Sequence, residues 1–292
     1  MKHAAEREQP FTFSCCGATL VGLIHGADGS AQRGILVVVG GPQYRAGSHR
    51  QFVLLARALA EEGVPVMRFD HRGIGDSDEP FRGFEALNAD IGAAIDAFLA
   101  RCPEIREVVL WGLCDAASAI LFYAHVDARV AGIVVLNPWV RTQQSEARTY
   151  LRHYYWSRLR DPALWQAVVS GRLNVMEASW SFLRVLAQRL SFSPSHRSET
   201  KQAGTSLAAG TLPERMALGL ARFRGPVLLI MSGQDLTARE FDDSARASAA
   251  WRSLMVAARL TRHDLADADH TFSCRPWHDK VVAWTSEWLR SW

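Results

Sequence analysis

Residues 108–123 read VVLWGLCDAASAILFY, and this stretch decides how the chain is organised. Glu107 to Trp111 is an apolar run of strand length, and the residues after Asp115 have the apolar content of a helix. Between them lies Gly112-Leu113-Cys114-Asp115-Ala116. A nucleophile held on a sharp strand-to-helix turn needs very small residues two places before and after it, because the strained backbone brings those positions against the neighbouring strand and helix. Gly112 and Ala116 meet that demand. Such a turn also sets the Asp115 N–H at a helix N-terminus, where it can stabilise an oxyanion and where the helix dipole favours a thiolate. Taken alone, a cysteine before a helix is more often a small buried residue than a nucleophile. The partners must decide.

Outward from this turn, short apolar runs alternate with segments of helical period, as expected of an α/β protein around a mostly parallel sheet. Thr19 to His25, Ile35 to Val39, Val64 to Phe69, Val130 to Leu136 and Pro226 to Ser232 read as further strands, with Val256 to Leu260 as the last. Ser48 is placed to cap a helix through Phe52, Leu55, Ala56 and Leu59 that Gly63 stops. A second helix is expected over Phe84 to Ala100 and a final one through Val281, Trp284 and Trp288. The long interval between the strands ending at Leu136 and beginning at Pro226 carries Tyr150, Leu151, Tyr154, Tyr155, Leu159, Trp165 and Val169 at spacings of three and four. A helical cap over 141–215 is therefore expected, inserted into a core made of 1–140 and 216–292.

The 292 residues carry 48% hydrophobic side chains and a formal charge of +3, enough for a sizeable core and too little charge to point to nucleic acid. Between Arg141 and Arg215 there are eleven Lys and Arg against five Asp and Glu, so the basic excess falls in the expected cap. Five cysteines, an odd number without zinc-ligand spacing, read as reduced thiols. Residues Met1 to Pro10 carry no apolar run, and no stretch approaches the roughly 20 apolar residues of a membrane span. A cytoplasmic protein without metal or cofactor is the expectation, its oligomeric state left open.

An activated thiol wants an imidazole beside it and a carboxylate to orient that ring. His270 closes the loop Asp267-Ala268-Asp269-His270, and Asp235 closes Ser232-Gly233-Gln234-Asp235, each just past a strand. Ligand sites in open α/β sheets lie at the carboxyl ends of strands, so both loops belong to the rim that carries Cys114. The order nucleophile, acid, base follows one known arrangement. Against it, Asp235 also suits a helix cap and His270 a solvated loop.

Gly40-Gly41, Asp70-His71-Arg72-Gly73-Ile74-Gly75-Asp76-Ser77, the Cys114 turn, Ser232-Gly233-Gln234-Asp235 and Asp269-His270 together resemble an α/β-hydrolase along nearly the whole chain outside the cap. More narrowly, Val39-Gly40-Gly41-Pro42-Gln43-Tyr44-Arg45, Trp111 to Ser118 and Leu136-Asn137-Pro138-Trp139-Val140-Arg141 are similar to the exosortase A system-associated hydrolase 1 family. That resemblance implies an exopolysaccharide or protein-sorting setting and leaves the substrate open. Cysteine replaces the superfamily's usual serine, as in dienelactone-hydrolase-like and polyester-synthase-like members, and Ala116 replaces its glycine. The resemblance also implies a second oxyanion donor in the loop from Gly40. Pro42 has no N–H, so Gly41 or Gln43 must supply it.

Arg45, Trp139 and Tyr154 are candidate substrate contacts, and Arg45 and Arg72 are candidate counter-charges for Asp115, whose carboxylate would oppose thiolate formation if it faced the sulfur. Thiolate attack on a thioester exchanges like for like, whereas attack on an oxygen ester runs uphill. The expected activity is hydrolysis of a small or carrier-bound acyl ester or thioester. An acyltransferase using the same acyl-cysteine, or a non-catalytic binding protein on the same fold, is the alternative.

Overall fold

A computed structural model describes residues 8–26, 31–41, 43–140 and 210–292. The expected cap lies outside the described residues except for 210–215, and Tyr154 lies outside them too. The strands are β1 (Glu8–Cys15), β2 (Ala18–His25), β3 (Arg33–Val38), β4 (Val66–Asp70), β5 (Glu107–Leu113), β6 (Val130–Leu136), β7 (Val227–Ser232) and β8 (Leu260–Leu265). The α-helices are α1 (Gln51–Glu61), α2 (Asn88–Arg101), α3 (Asp115–Tyr123), α4 (Leu212–Arg222), α5 (Leu236–Ala247), α6 (Ala249–Met255) and α7 (Arg275–Leu289).

The strands form one eight-stranded sheet in the order β1-β2-β4-β3-β5-β6-β7-β8. Pairing is antiparallel from β1 to β2 and from β2 to β4, and parallel from β4 onward. Successive side chains of the central strands enter opposite cores, which is why these strands read as unbroken apolar runs. Val109, Trp111, Leu113, Val134, Leu136, Leu228 and Ile230 join Phe52, Leu55 and Leu59 of α1 and Val281 and Trp288 of α7. Val108, Leu110, Ile133, Val135, Leu229 and Met231 join Ile91, Ile95 and Phe98 of α2, Ile120 of α3, Met216 and Leu220 of α4 and Phe241 of α5. Both faces are thus covered.

Where the fold departs from the sequence reading, local chemistry explains it. The last strand is Leu260–Leu265, not Val256 to Leu260. Val256 is 83% exposed just past α6, whereas β8 pairs only with β7 and tolerates polar residues such as Arg262, held by Asp242 and Asp264. The first strand, Glu8–Cys15, and helix α6 have no counterpart in the sequence reading, whereas α5 is the helix that Asp235 was suited to cap; β1 also lies at an edge and buries only Phe11 and Cys15. Ser48 caps no helix; it opens a 3-10 turn in which His49 and Arg50 have φ of 53° and 60°, and α1 begins at Gln51. The segment Phe84 to Ala100 divides into a 3-10 turn at Phe84–Ala86 and α2. α4 starts inside the segment expected as cap, behind a capping box in which Thr211 N–H donates to Glu214 at 2.8 Å.

Candidate functional site

β5 runs into Cys114, whose φ of 65° and ψ of −125° turn the chain directly into α3. For a non-glycine residue this conformation costs on the order of 1–3 kcal/mol, so it persists only where neighbours determine it. They do: Cys114 N–H donates to Leu136 O at 2.9 Å, and Cys114 O accepts from Trp139 N–H at 3.2 Å and Ser118 N–H at 3.3 Å. A Cβ on Gly112 would lie 2.7 Å from Ile120 Cδ1 and 3.1 Å from the Ala116 carbonyl carbon. Ala116 is fully buried. The small residues at 112 and 116 therefore have the reason read from the sequence. Trp139, half-buried, stands beside the turn through its backbone.

Asp235 follows β7 and is 7% exposed. It does cap α5: Oδ1 accepts Thr237 N–H and Oδ2 accepts Ala238 N–H, each at 3.1 Å. Oδ2 also accepts the Nδ1–H of His270 at 2.7 Å, so cap and ring contact coexist on one carboxylate. With Nδ1 held there, Nε2 is left for the Cys114 sulfur, which lies near enough to the ring to raise its pKa. Burial opposes the imidazolium, but the hydrogen bond to Asp235 and the interactions with Asp235 and Cys114 outweigh it and lift the His270 pKa to about 10. Asp269, one residue earlier, does not orient the ring; it accepts Thr271 N–H at 3.2 Å and Ser273 N–H at 3.0 Å.

The β3 loop approaches the turn closely. A Cβ on Gly40 would collide with Asp115 Oδ1 and Ala116 N. Asp115 Oδ1 is buried without a hydrogen-bond partner. Burial pushes this carboxyl above the usual carboxylate range, while the N–H groups of Gly41, Ala116 and Asp115 itself, with nearby His71, act the other way. Asp115 thus sets its carboxyl beside Gly41 N–H, one of the two positions read for the second donor. The Gln43 side chain turns aside and accepts from Ser48 N–H at 3.3 Å and Gln51 Nε2 at 3.2 Å.

Both candidate counter-charges for Asp115 have other partners. The Arg45 guanidinium pairs with fully buried Asp70 and, at 2.7 Å, with Asp76. Its backbone N–H donates to Asp70 Oδ1 at 2.6 Å, so it clips the β3 loop to the turn after β4. Arg72 is likewise engaged, its Nη2 bonding buried Asp90 at 2.7 Å. His71 is buried near Asp115, and its place in the Asp70 to Ser77 motif is the one signal for it in the sequence. Asn137 and Ser232 likewise stand out in the sequence only as parts of motifs.

All five cysteines are free. Among the described residues no group of three His, Cys, Asp or Glu side chains could hold a metal ion, and no helix is long and apolar enough to cross a membrane. A thiol on a strained turn, an imidazole beside it and a carboxylate bonded to that imidazole form an array suited to nucleophilic acyl chemistry.

The Hydrolase_4 family model, described as serine aminopeptidase, S33, matches residues 30–251. Among solved structures, the Pyrococcus furiosus esterase Pf2001 is similar with TM-score 0.64 and 14% identity over 98% of this chain and 92% of that one. Est1E from Butyrivibrio proteoclasticus, solved with ferulic acid bound, has TM-score 0.61 and 14% identity over 96% and 97% of the two chains. An alpha-beta serine hydrolase homologue from Coxiella burnetii has TM-score 0.58 and 14% identity over 96% and 97%. No curated protein matches. At such identities the likeness speaks for the fold: an α/β-hydrolase sheet with helices on both faces.

Proposed function

Since the chain belongs to the serine aminopeptidase, S33, family of hydrolases, we propose that it cleaves an ester or thioester through an acyl-cysteine formed on Cys114. The observation that carries this reading is the hydrogen bond from the His270 ring to Asp235 at 2.7 Å, with the Cys114 turn beside the same ring. His270, protonated near neutral pH, holds the proton of the pair while the sulfur attacks the acyl carbon. As the tetrahedral adduct collapses, the leaving alcohol or thiol departs with that proton. Water then attacks the acyl-cysteine while His270 takes its proton and returns it to the sulfur. Asp235 keeps the ring in one orientation and supports its charge. The N–H groups of Asp115 and Gly41 receive the oxyanion.

The family's description names serine, and the thiol here favours a thioester donor, because exchange of one thioester for another is near balance. A carrier-bound or small acyl group in the cytoplasm, alongside exosortase and exopolysaccharide systems, is the setting we assign. The motifs around Gly40, Cys114 and Asn137 support it. Trp139 remains a candidate contact for the acyl group through its position beside the turn. The same acyl-cysteine would serve an acyltransferase.

Incubation with p-nitrophenyl esters and acyl-CoA thioesters, followed by intact mass, tests the reading. Turnover with a transient adduct at Cys114 is expected. An adduct that persists until an alcohol or amine is added would mean a transferase. No adduct and no turnover, or turnover undiminished in Cys114→Ala, would refute the assignment.

A further inference from the structure

The residues that follow β6 touch both halves of the reacting pair. Asn137 is fully buried, has φ of 42°, and donates its backbone N–H to Ile230 O at 3.2 Å. Its Oδ1 accepts Ser232 N–H at 2.8 Å. Its Nδ2 donates to Ser232 Oγ at 2.8 Å and to the carbonyl of His270 at 3.0 Å. Ser232 Oγ in turn donates to the carbonyl of Asp269 at 2.8 Å. Two buried side chains therefore hold consecutive carbonyls of the loop that carries the imidazole. On the other side, Leu136 O and Trp139 N–H hold the backbone of Cys114, and Trp139 O accepts Ser118 Oγ at 2.7 Å.

We infer that Asn137, acting with Ser232, is a positioning residue that sets the separation of the Cys114 sulfur and the His270 ring. This rests on the reading that these two groups react together. The residue type follows from the partners. One acceptor and two donor contacts leave from one short side chain, which an amide supplies and a carboxylate or an aliphatic group does not. Neither Asn137 nor Ser232 touches the acyl group in this account. They act by fixing the loop, and buried polar networks satisfied on every atom are the ones that hold a single geometry. A misplaced ring loses the proximity that keeps the thiol reactive.

The test needs no knowledge of the substrate. Alkylation of Cys114 by iodoacetamide is followed by intact mass and peptide mapping, which separates it from Cys16 and Cys274, from about pH 6 to about pH 9. His270→Ala should abolish the part of the reactivity that survives at about pH 6. Ser232→Ala and Asn137→Asp should lower that acid-side rate roughly ten-fold while changing the rate at about pH 9 less than two-fold. Ser232→Ala keeps the inference open to refutation should the Asn137 variant fail to fold. Added to His270→Ala, Ser232→Ala should change nothing, since the ring it positions is gone. If His270→Ala shifts the profile and the other two variants track the wild type, the inference is overturned and the pairing stands. A profile unmoved by His270→Ala overturns the pairing and the inference with it.

Discussion

Replacing Asp235 with asparagine separates the two tasks that its carboxylate performs. Oδ1 serves one helix N–H, and Oδ2 serves a second N–H and the His270 ring. An asparagine can keep at most part of this, because whichever way its amide turns, its NH2 faces a donor: Thr237 N–H in one orientation, Ala238 N–H and the ring in the other. Asparagine is as good an N-cap as aspartate, so the stability lost should be about 1 kcal/mol, one hydrogen bond, or about 2–4 °C in Tm for a chain of this size. Acyl transfer should suffer far more, roughly 10³–10⁴-fold in kcat, because the ring loses both its orientation and the charge that stabilises the imidazolium.

The pH dependence follows from linkage. His270 is lifted in the folded chain from an ordinary 6.5 to about 10, burial being outweighed by Asp235 and Cys114. A raised folded pKa means stabilisation that is complete below about 6.5 and lost as pH climbs through about 10. Tm should therefore fall across that window in the wild type and fall less in Asp235→Asn, the difference between the two proteins being the readout. Thioester turnover and thermal unfolding measured on the same preparations decide the matter. An Asp235→Asn protein that turns over at the wild-type rate, or whose Tm falls with pH as steeply as the wild type's, would refute the pairing.

Other perturbations have outcomes of different sign and size. Gly40→Ala should unfold the site or prevent soluble expression, because its Cβ meets Asp115 and Ala116, whereas Gly41→Ala meets nothing and should cost only the roughly 1–2 kcal/mol of its left-handed φ of 61°; thermal melts of the pair test this order. Asp115→Asn should raise kcat/KM several-fold near neutral pH, because a carboxylate beside Gly41 N–H opposes the oxyanion. The gain should shrink toward acid pH, where burial already favours the neutral acid, and a variant no faster than wild type would remove that competition from the account. Arg45→Ala should cost roughly 3 kcal/mol by leaving buried Asp70 without its cation, measurable by denaturant unfolding. Its preference among acyl chain lengths should not change if Arg45 only clips the loop, and a changed preference would place Arg45 in the substrate site.

The sequence by itself determined what depends on neighbours along the chain. Apolar runs such as Val130 to Leu136 can be satisfied only with both faces covered, so the parallel centre of the sheet was readable without coordinates. Gly112 and Ala116 marked the turn because its clashes are with residues a few places away. Asp235 and His270 were legible as candidates because the ends of parallel strands share one rim. Edge strand β1 escaped and β8 lay a few residues past its expected place, since one open side relaxes the demand for apolar residues. Tertiary structure alone decided which partner each polar group takes. Arg45 found Asp70 across 25 positions, while Asn137 found Ser232 across 95 and the His270 carbonyl across 133. A charge or an amide carries no periodicity that names its partner, and only the folded backbone brings such groups within the roughly 3 Å at which a hydrogen bond forms.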